Sequence, residues 1–213
     1  QTCAVPILDP VANILITAPF LTNQIEMIRN IAKALPVGYE LYIKENPTQI
    51  NREWRKISEY KEIIEIPNVK LIHPSVSNEK LIENSSLVIT IAGSSGFEAA
   101  FYEKPSIVFS DVSYTLLPSV HRIRDLEKLP EIIRQCLSEK VNAVDLDKFL
   151  IILEKETFDL DLRGFNAKIQ DYFYHGGHLV DTEISDMQMK VFLGENRTIL
   201  EKLASEHIKK IRT

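Results

Sequence analysis

A run of small residues, Gly93-Ser94-Ser95-Gly96, follows an apolar stretch and precedes a helical pattern that contains Glu98. A turn from strand to helix presents backbone N–H groups and the positive end of a helix dipole, and this arrangement holds anions, most often phosphate. The two glycines would let an anion approach the backbone, and the two hydroxyls would add hydrogen-bond donors. The run is neither a Walker loop, since no Lys-Ser/Thr follows, nor G-x-G-x-x-G.

The same turn also has a purely structural explanation. Ser95 and Glu98 have the S-x-x-E spacing of a capping box, in which each side chain satisfies the free backbone N–H of the other residue. A well-capped helix would by itself account for the turn. The functional interpretation adds a ligand at the same helix end.

Polar residues also end two other apolar runs. In Lys44-Glu45-Asn46-Pro47, Lys44 could meet a phosphate as a point charge and Glu45 could be its salt-bridge partner, and a solvated turn is the alternative. His73 could donate to a base, a ribose or a phosphate, or have a structural role.

Other chemically capable residues give weaker patterns. The segment 109–124 contains Asp111, Tyr114, His121 and Arg122 after a predicted strand. The i, i+3 pair His175 and His178 has no third ligand nearby, and Cys3 and Cys136 match neither a metal nor a disulfide framework. We therefore predict no metal site, and the free cysteines fit a reducing cytoplasm.

Apolar runs alternate with stretches of helical periodicity along the first two-thirds of the chain. The strands and helices that this pattern predicts position the residues described above. The pattern predicts strands over 13–18, 39–44, 69–72, 87–91 and 106–109, and helices over 22–35, 51–65, 78–83, 95–102, 126–138 and 145–155. We expect Thr22 and Ser77 to cap the first and third of these helices. Such alternation predicts an α/β fold, a doubly wound Rossmann-like parallel sheet, in which ligands bind at the carboxyl ends of the strands.

The chain is predicted to divide into a Rossmann-like domain, 1–155, and a C-terminal helical tail, 156–213. The tail has an aromatic and glycine-rich part, 159–180, followed by one or two amphipathic helices over 183–212. Because residue 1 is glutamine and not methionine, we expect further sequence on the N-terminal side.

Composition excludes several classes of protein. A net charge of −5, from 25 Lys and Arg against 30 Asp and Glu, gives no electrostatic reason to expect nucleic acid. The longest apolar runs are too short to span a bilayer, and no signal peptide opens the chain. We therefore expect a cytoplasmic protein.

These motifs together resemble bacterial capsule and surface-polysaccharide biosynthesis proteins, which are glycosyltransferases of the two-Rossmann GT-B type. The resemblance covers about residues 10 to 135, and its most specific part is Gly93-Ser94-Ser95-Gly96-Phe97-Glu98-Ala99 with Lys104-Pro105. The other matching segments are Ala18-Pro19-Phe20, Gln24, Ile31-Ala32, Leu35-Pro36, Tyr42-Ile43-Lys44-Glu45-Asn46-Pro47, Ile66-Pro67-Asn68-Val69 and Leu71-Ile72.

The resemblance implies that this chain is the C-terminal, donor-binding half of a GT-B fold with trailing helices. It implies a metal-independent transferase that is inactive as an isolated half, with its catalytic base in the missing N-terminal domain. No separate cofactor is implied. The donor would be a CMP- or UDP-linked sugar, bound by Lys44, Glu45, Asn46, His73, Gly93, Ser94, Ser95, Gly96 and Glu98. The family commonly has Lys-Glu-His-Pro where this chain has Asn46, whose amide can donate a hydrogen bond but carries no positive charge.

The implied acceptor is a saccharide or a lipid-linked saccharide. Peripheral membrane association through the full-length protein and homo-oligomerisation are two further expectations that the sequence leaves open. Two other functions stay open from the residues. One is a non-catalytic nucleotide-sugar-binding or assembly module. The other is a nucleotide-sugar epimerase of GT-B architecture, which would share the Gly-Ser turn.

Overall fold

The computed structural model describes residues 2–7, 18–45, 55–174 and 183–212. The chain forms two compact units, Gln1–Ile151 and Ile152–Thr213. The first unit contains the strands β1 (Thr2–Ile7), β2 (Glu40–Glu45), β3 (Val69–Ile72), β4 (Leu87–Thr90), β5 (Ser106–Val108) and β6 (Val120–Arg122). Its helices are α1 (Gln24–Ala34), α2 (Ile57–Ile64), α3 (Asn78–Glu83), α4 (Ser95–Glu98) and α5 (Leu129–Ser138), and α6 (Ala143–Glu156) crosses into the second unit.

The strands form one parallel sheet in the order β3-β2-β1-β4-β5-β6. This is the characteristic order of a Rossmann-like doubly wound fold. The predicted fold class, an α/β doubly wound parallel sheet with trailing C-terminal helices, is therefore confirmed.

Alternation along the strands distributes apolar side chains to both faces of the sheet. On one face, Leu41, Ile43 and Ile89 pack in a core cluster with residues of α1, α2 and α5. On the other face, Val88 packs with Ile82 of α3 and with Ala99. Strand β4 is buried along its whole length because helices cover both of its faces.

Several local predictions match the structure closely. Strand β3 and helix α3 have the predicted bounds, and the Ser77 hydroxyl accepts from the Lys80 N–H. The N-cap of helix α1 lies one residue later than predicted, because Asn23 rather than Thr22 accepts from the backbone N–H of Glu26 at 3.1 Å.

Other local predictions were wrong or incomplete. Strand β1 lies where no element was predicted. Of the predicted strand 13–18, residues 13–17 lie outside the described residues. Ala18 directly precedes a short 3-10 helix, Pro19–Leu21. The predicted helix 95–102 is one α-helical turn followed by a 3-10 helix, Ala99–Tyr102. Strand β6 was not predicted, since two of its three residues are His121 and Arg122 and it therefore lacks an apolar run.

The second unit contains α7 (Leu162–Phe173), α8 (Asp186–Glu195) and α9 (Arg197–Arg212). One or two helices were expected over 183–212 and two are present, while α7 lies where no element had been assigned. Phe192 is buried in an aromatic cluster, with its ring 4.8 Å from that of Phe173 and 5.3 Å from that of Tyr172. None of the described helices has the length and apolar character that crossing a membrane requires.

Candidate functional site

The strand order places the Gly93-Ser94-Ser95-Gly96 turn at the topological switch point of the sheet. Successive crossovers run outward from β1 toward β3 on one side and from β4 toward β6 on the other. Ligands of such sheets bind in the crevice at the carboxyl ends of the two strands where the order reverses. Those strands are β1 and β4, and the turn directly follows β4.

Internal hydrogen bonds fix the backbone of the turn. The Gly93 N–H donates to Thr90 Oγ1 at 3.0 Å, and the Phe97 and Glu98 N–H groups both donate to the Ser94 carbonyl, at 2.9 and 2.8 Å. Within the described residues, the N–H groups of Ser94 and Ser95 have no acceptor. The turn therefore offers two adjacent backbone donors.

The predicted capping box was wrong. Ser95 is the first helical residue, and Ser94 occupies the N-cap position in a helical backbone conformation without capping through its side chain. The Ser94 hydroxyl instead donates to Glu98 Oε1 at 2.7 Å. The Ser95 hydroxyl, in a residue only 7% exposed, has no hydrogen-bond partner among the described residues. A buried hydroxyl without a partner costs free energy unless a ligand or water completes it.

Both glycines of the turn are explained by internal packing rather than by the approach of a ligand. A Cβ on Gly93 would lie 2.7 Å from Thr90 Oγ1, and a Cβ on Gly96 would lie 3.1 Å from the Tyr114 ring and from Val108. The Tyr114 hydroxyl also donates to the Gly93 carbonyl at 2.5 Å. Thr90 and Tyr114 thus hold the turn from both sides.

Lys44 lies on the face of the sheet that α3 and α4 cover. Its side chain is only 2% exposed, and its ammonium donates to Asn78 Oδ1 at the start of α3. Burial lowers the pKa of Lys44, while the nearby Glu98 carboxylate acts in the opposite direction. An ammonium has three donors, so Lys44 keeps donors beyond the one used by Asn78.

Glu45 points to the opposite face, because successive residues of a strand alternate. It forms a buried ion pair with Arg55, whose Nε lies 2.5 Å from Glu45 Oε1, and Arg55 also donates to Gln24 Oε1 at 2.9 Å. The expected salt bridge between Lys44 and Glu45 was therefore wrong. Asn46 lies outside the described residues.

His73 is exposed at the end of β3, the edge strand, with its Nδ1 2.7 Å from the Ser75 hydroxyl. Three strand spacings of about 4.8 Å, or about 14 Å in all, separate the ends of β3 and β4. His73 shares a pocket with Glu45 and Tyr60. The structure thus brings Lys44, Ser94 and Glu98 toward one side of the sheet and leaves His73 apart from the Gly93 turn.

Two more buried donors lie at the carboxyl ends of neighbouring strands, of which the sequence analysis named Arg122 but not Ser110. Ser110 follows β5, and Arg122 is the last residue of β6. Neither the Ser110 hydroxyl nor the Arg122 Nε has a hydrogen-bond partner among the described residues. A terminal nitrogen of Arg122 does pair with Asp111, at 2.7 Å. With Ser95, they place unpartnered donors after three neighbouring strands. Only the weak polar pattern of 109–124 pointed to this region. His175 and His178 lie outside the described residues.

No protein-family model and no curated protein matches this chain. Similar solved structures include a β-Kdo 2,7-transferase, KpsC, of Thermosulfurimonas dismutans, with 16% identity, a TM-score of 0.47, and 64% of this chain and 45% of that chain covered. A UDP-GlcNAc 2-epimerase of Methanocaldococcus jannaschii has 17% identity, a TM-score of 0.49, and coverages of 72% and 45%. The glycotransferase of kitacinnamycin has 17% identity, a TM-score of 0.44, and coverages of 70% and 38%. The chain thus spans less than half the length of each of these three proteins.

Proposed function

We propose that this chain binds a nucleotide sugar as the C-terminal, donor-binding half of a GT-B glycosyltransferase. One observation carries the proposal: the Ser95 hydroxyl is buried in a small-residue turn at the switch point of the sheet, with no partner in the part of the chain that the structure describes. The adjacent N–H groups of Ser94 and Ser95, which also lack an acceptor among those residues, supply further donors to the same place. Several fixed donors converging at a switch point suit a diphosphate or phosphate group.

The same donors suit glycosyl transfer. When the glycosidic bond of a nucleotide sugar breaks, negative charge develops on the leaving nucleotide, and fixed donors stabilise that charge without reorganisation. Ser94, Ser95 and the ammonium of Lys44 would share this role, and a metal-independent reaction is proposed because these groups supply the compensating charge. The carboxylate of Glu98, close to Lys44, would orient the ammonium.

The finer parts of the proposal rest on the sequence resemblance. The donor would be CMP- or UDP-linked, the acceptor a saccharide or a lipid-linked saccharide, and the pathway the synthesis of capsular or surface polysaccharide in the cytoplasm. The catalytic base would come from a second domain, so this chain alone is expected to bind the donor without turnover.

Calorimetry of the chain with CMP, UDP and UDP-sugars tests the proposal. We expect at least one nucleotide to bind, and Ser95→Ala to weaken it by about tenfold or more, as loss of a hydrogen bond to a charged group does. Ser119→Ala is the matched control, since Ser119 is also 7% exposed but lies before β6, at the opposite edge of the sheet.

Failure of every nucleotide to bind would refute the proposal, as would equal effects of the two substitutions. A longer protein that carries this chain would separate the remaining alternatives. Transfer of sugar to an acceptor would reject a non-catalytic module, and conversion of the free nucleotide sugar into its epimer, followed by NMR, would indicate an epimerase.

A further inference from the structure

Three residues with different metal-ligating groups meet beside β6, the outermost strand on one side of the sheet, away from the Gly93 turn. His121 lies in the middle of β6, Cys136 in the last turn of α5, and Glu139 directly after that helix. One ligand atom from each lies within 4.8 Å of the other two, and His121 Nε2 is 2.5 Å from Glu139 Oε2. We propose that these residues bind a zinc ion, which joins β6 to the end of α5.

The donor set selects the metal. Imidazole nitrogen, thiolate sulfur and carboxylate oxygen together are typical zinc ligands, whereas calcium and magnesium prefer oxygen ligands alone. Tetrahedral zinc places a sulfur and a nitrogen ligand about 3.5 Å apart, given bond lengths of about 2.3 and 2.0 Å. Side-chain adjustments of about 1 Å would bring the Cys136 sulfur to this distance. They would also separate His121 Nε2 from Glu139 Oε2, now 2.5 Å apart, to the roughly 3.3 Å that two light ligands of zinc require.

The local backbone supports such a site. The Glu139 N–H donates to the Cys136 carbonyl at 3.1 Å, which keeps these two residues one helical turn apart. The carboxyl end of α5 carries partial negative charge, and this charge favours a bound cation. The register of the sheet pairs His121 with Ile107, whose side chain belongs to the same core cluster as Cys136, so the imidazole faces α5.

The burial of the three side chains is uneven, and this leaves an entry path. Cys136 is fully buried, whereas the side chains of His121 and Glu139 are 19% and 23% exposed. Zinc can reach the site through the exposed pair, and the Cys136 thiol loses its proton to solvent on ligation. Three protein ligands leave the fourth position of a tetrahedral site to water.

Titration of metal-free protein with cobalt(II), as a coloured substitute for zinc, tests the proposal. We expect one equivalent to produce a thiolate-to-cobalt charge-transfer absorption that zinc then abolishes. Cys136→Ser should remove this absorption, whereas Cys3→Ser should retain it. Cys3 is the matched control, because it is also a fully buried free cysteine and lies outside the cluster.

Glu139→Ala and His121→Gln keep the proposal testable if Cys136→Ser does not fold, since both positions are partly exposed. Each should weaken zinc binding by more than about tenfold, because changes even outside the first ligand shell have effects of that size. Zinc should also raise the midpoint of thermal unfolding of the unaltered chain and not of these variants. Absence of the absorption from the unaltered chain, or its persistence in Cys136→Ser, would overturn the proposal.

Discussion

Lys44→Met should separate ligand binding from stability at the candidate site. The substitution removes the positive charge and keeps a long side chain of similar shape, so the packing under α3 and α4 is largely preserved. The Asn78 amide that loses its hydrogen bond is exposed, and water can replace the ammonium there.

Lys44→Met is expected to affect the free energy of nucleotide binding and the free energy of unfolding differently. A hydrogen bond from an ammonium to a phosphate contributes about 1.5–3 kcal/mol, and its loss weakens binding about 10- to 150-fold. Stability should respond differently, because burial lowers the pKa of Lys44 and therefore disfavours its charged form in the folded chain. A pKa lowered on folding means that the protonated lysine opposes folding at pH 7, so Lys44→Met should leave the free energy of unfolding unchanged or raise it.

Calorimetry with the tightest-binding nucleotide and chemical denaturation measure the two quantities on the same samples. Lys33→Met is the control, since it makes the same charge change on the exposed side of α1. Nucleotide affinity within about twofold of the unaltered chain would refute a phosphate contact by Lys44. Equal weakening by both substitutions would assign the effect to net charge.

Three further substitutions test the packing of the turn and the core. Gly93→Ala should destabilise the chain by about 1–3 kcal/mol and weaken nucleotide binding, because its Cβ would lie 2.7 Å from Thr90 Oγ1; an unchanged melting temperature would contradict the steric argument. Burial raises the pKa of Tyr114 from 10.0 to about 12, so its contribution to stability should be complete below pH 10 and lost as the pH rises to 12. Tyr114→Phe should reduce that decline, as denaturation midpoints across this range would show, and an equal decline in both proteins would exclude Tyr114 as its cause. Ile43→Ala should lower the free energy of unfolding by about 2–5 kcal/mol, since Ile43 is fully buried, and urea unfolding with a loss below about 1 kcal/mol would indicate a looser core.

Local signals explain which elements the sequence could predict. Strand β3 and helix α3 were placed correctly because the apolar residues Val69, Leu71 and Ile72 and a serine cap mark their bounds within a few residues. Strand β1 gave no such signal, since Pro6 interrupts its sequence and proline is uncommon in strands. Strand β6 contains His121 and Arg122 among its three residues, so neither length nor hydrophobicity identified it.

The candidate site was only partly predictable, because its contacts join residues far apart in the chain. The turn after β4 and the position of Lys44 at a strand end follow from local pattern. The face to which Lys44 points, its partner Asn78 and the packing of Tyr114 against Gly96 depend on how the strands pair. The division of Lys44 and Glu45 between two faces could have been inferred from strand alternation alone.

The hydrogen bonds that join Gly93 to Thr90 and to Tyr114 have a consequence for the entropy of ligand binding. A loop that must be ordered by its ligand reduces affinity, whereas a loop already held in one conformation leaves most of the contact energy for binding. Exchange of the hydrogen-bonded amides of Gly93, Phe97 and Glu98 should therefore be slow before any nucleotide is added, and saturation should change it little. The amides of Ser94 and Ser95 should instead be protected only when nucleotide is bound. A substitution that weakened either hydrogen bond would lower nucleotide affinity even if every ligand contact remained, because the turn would then have to be ordered on binding.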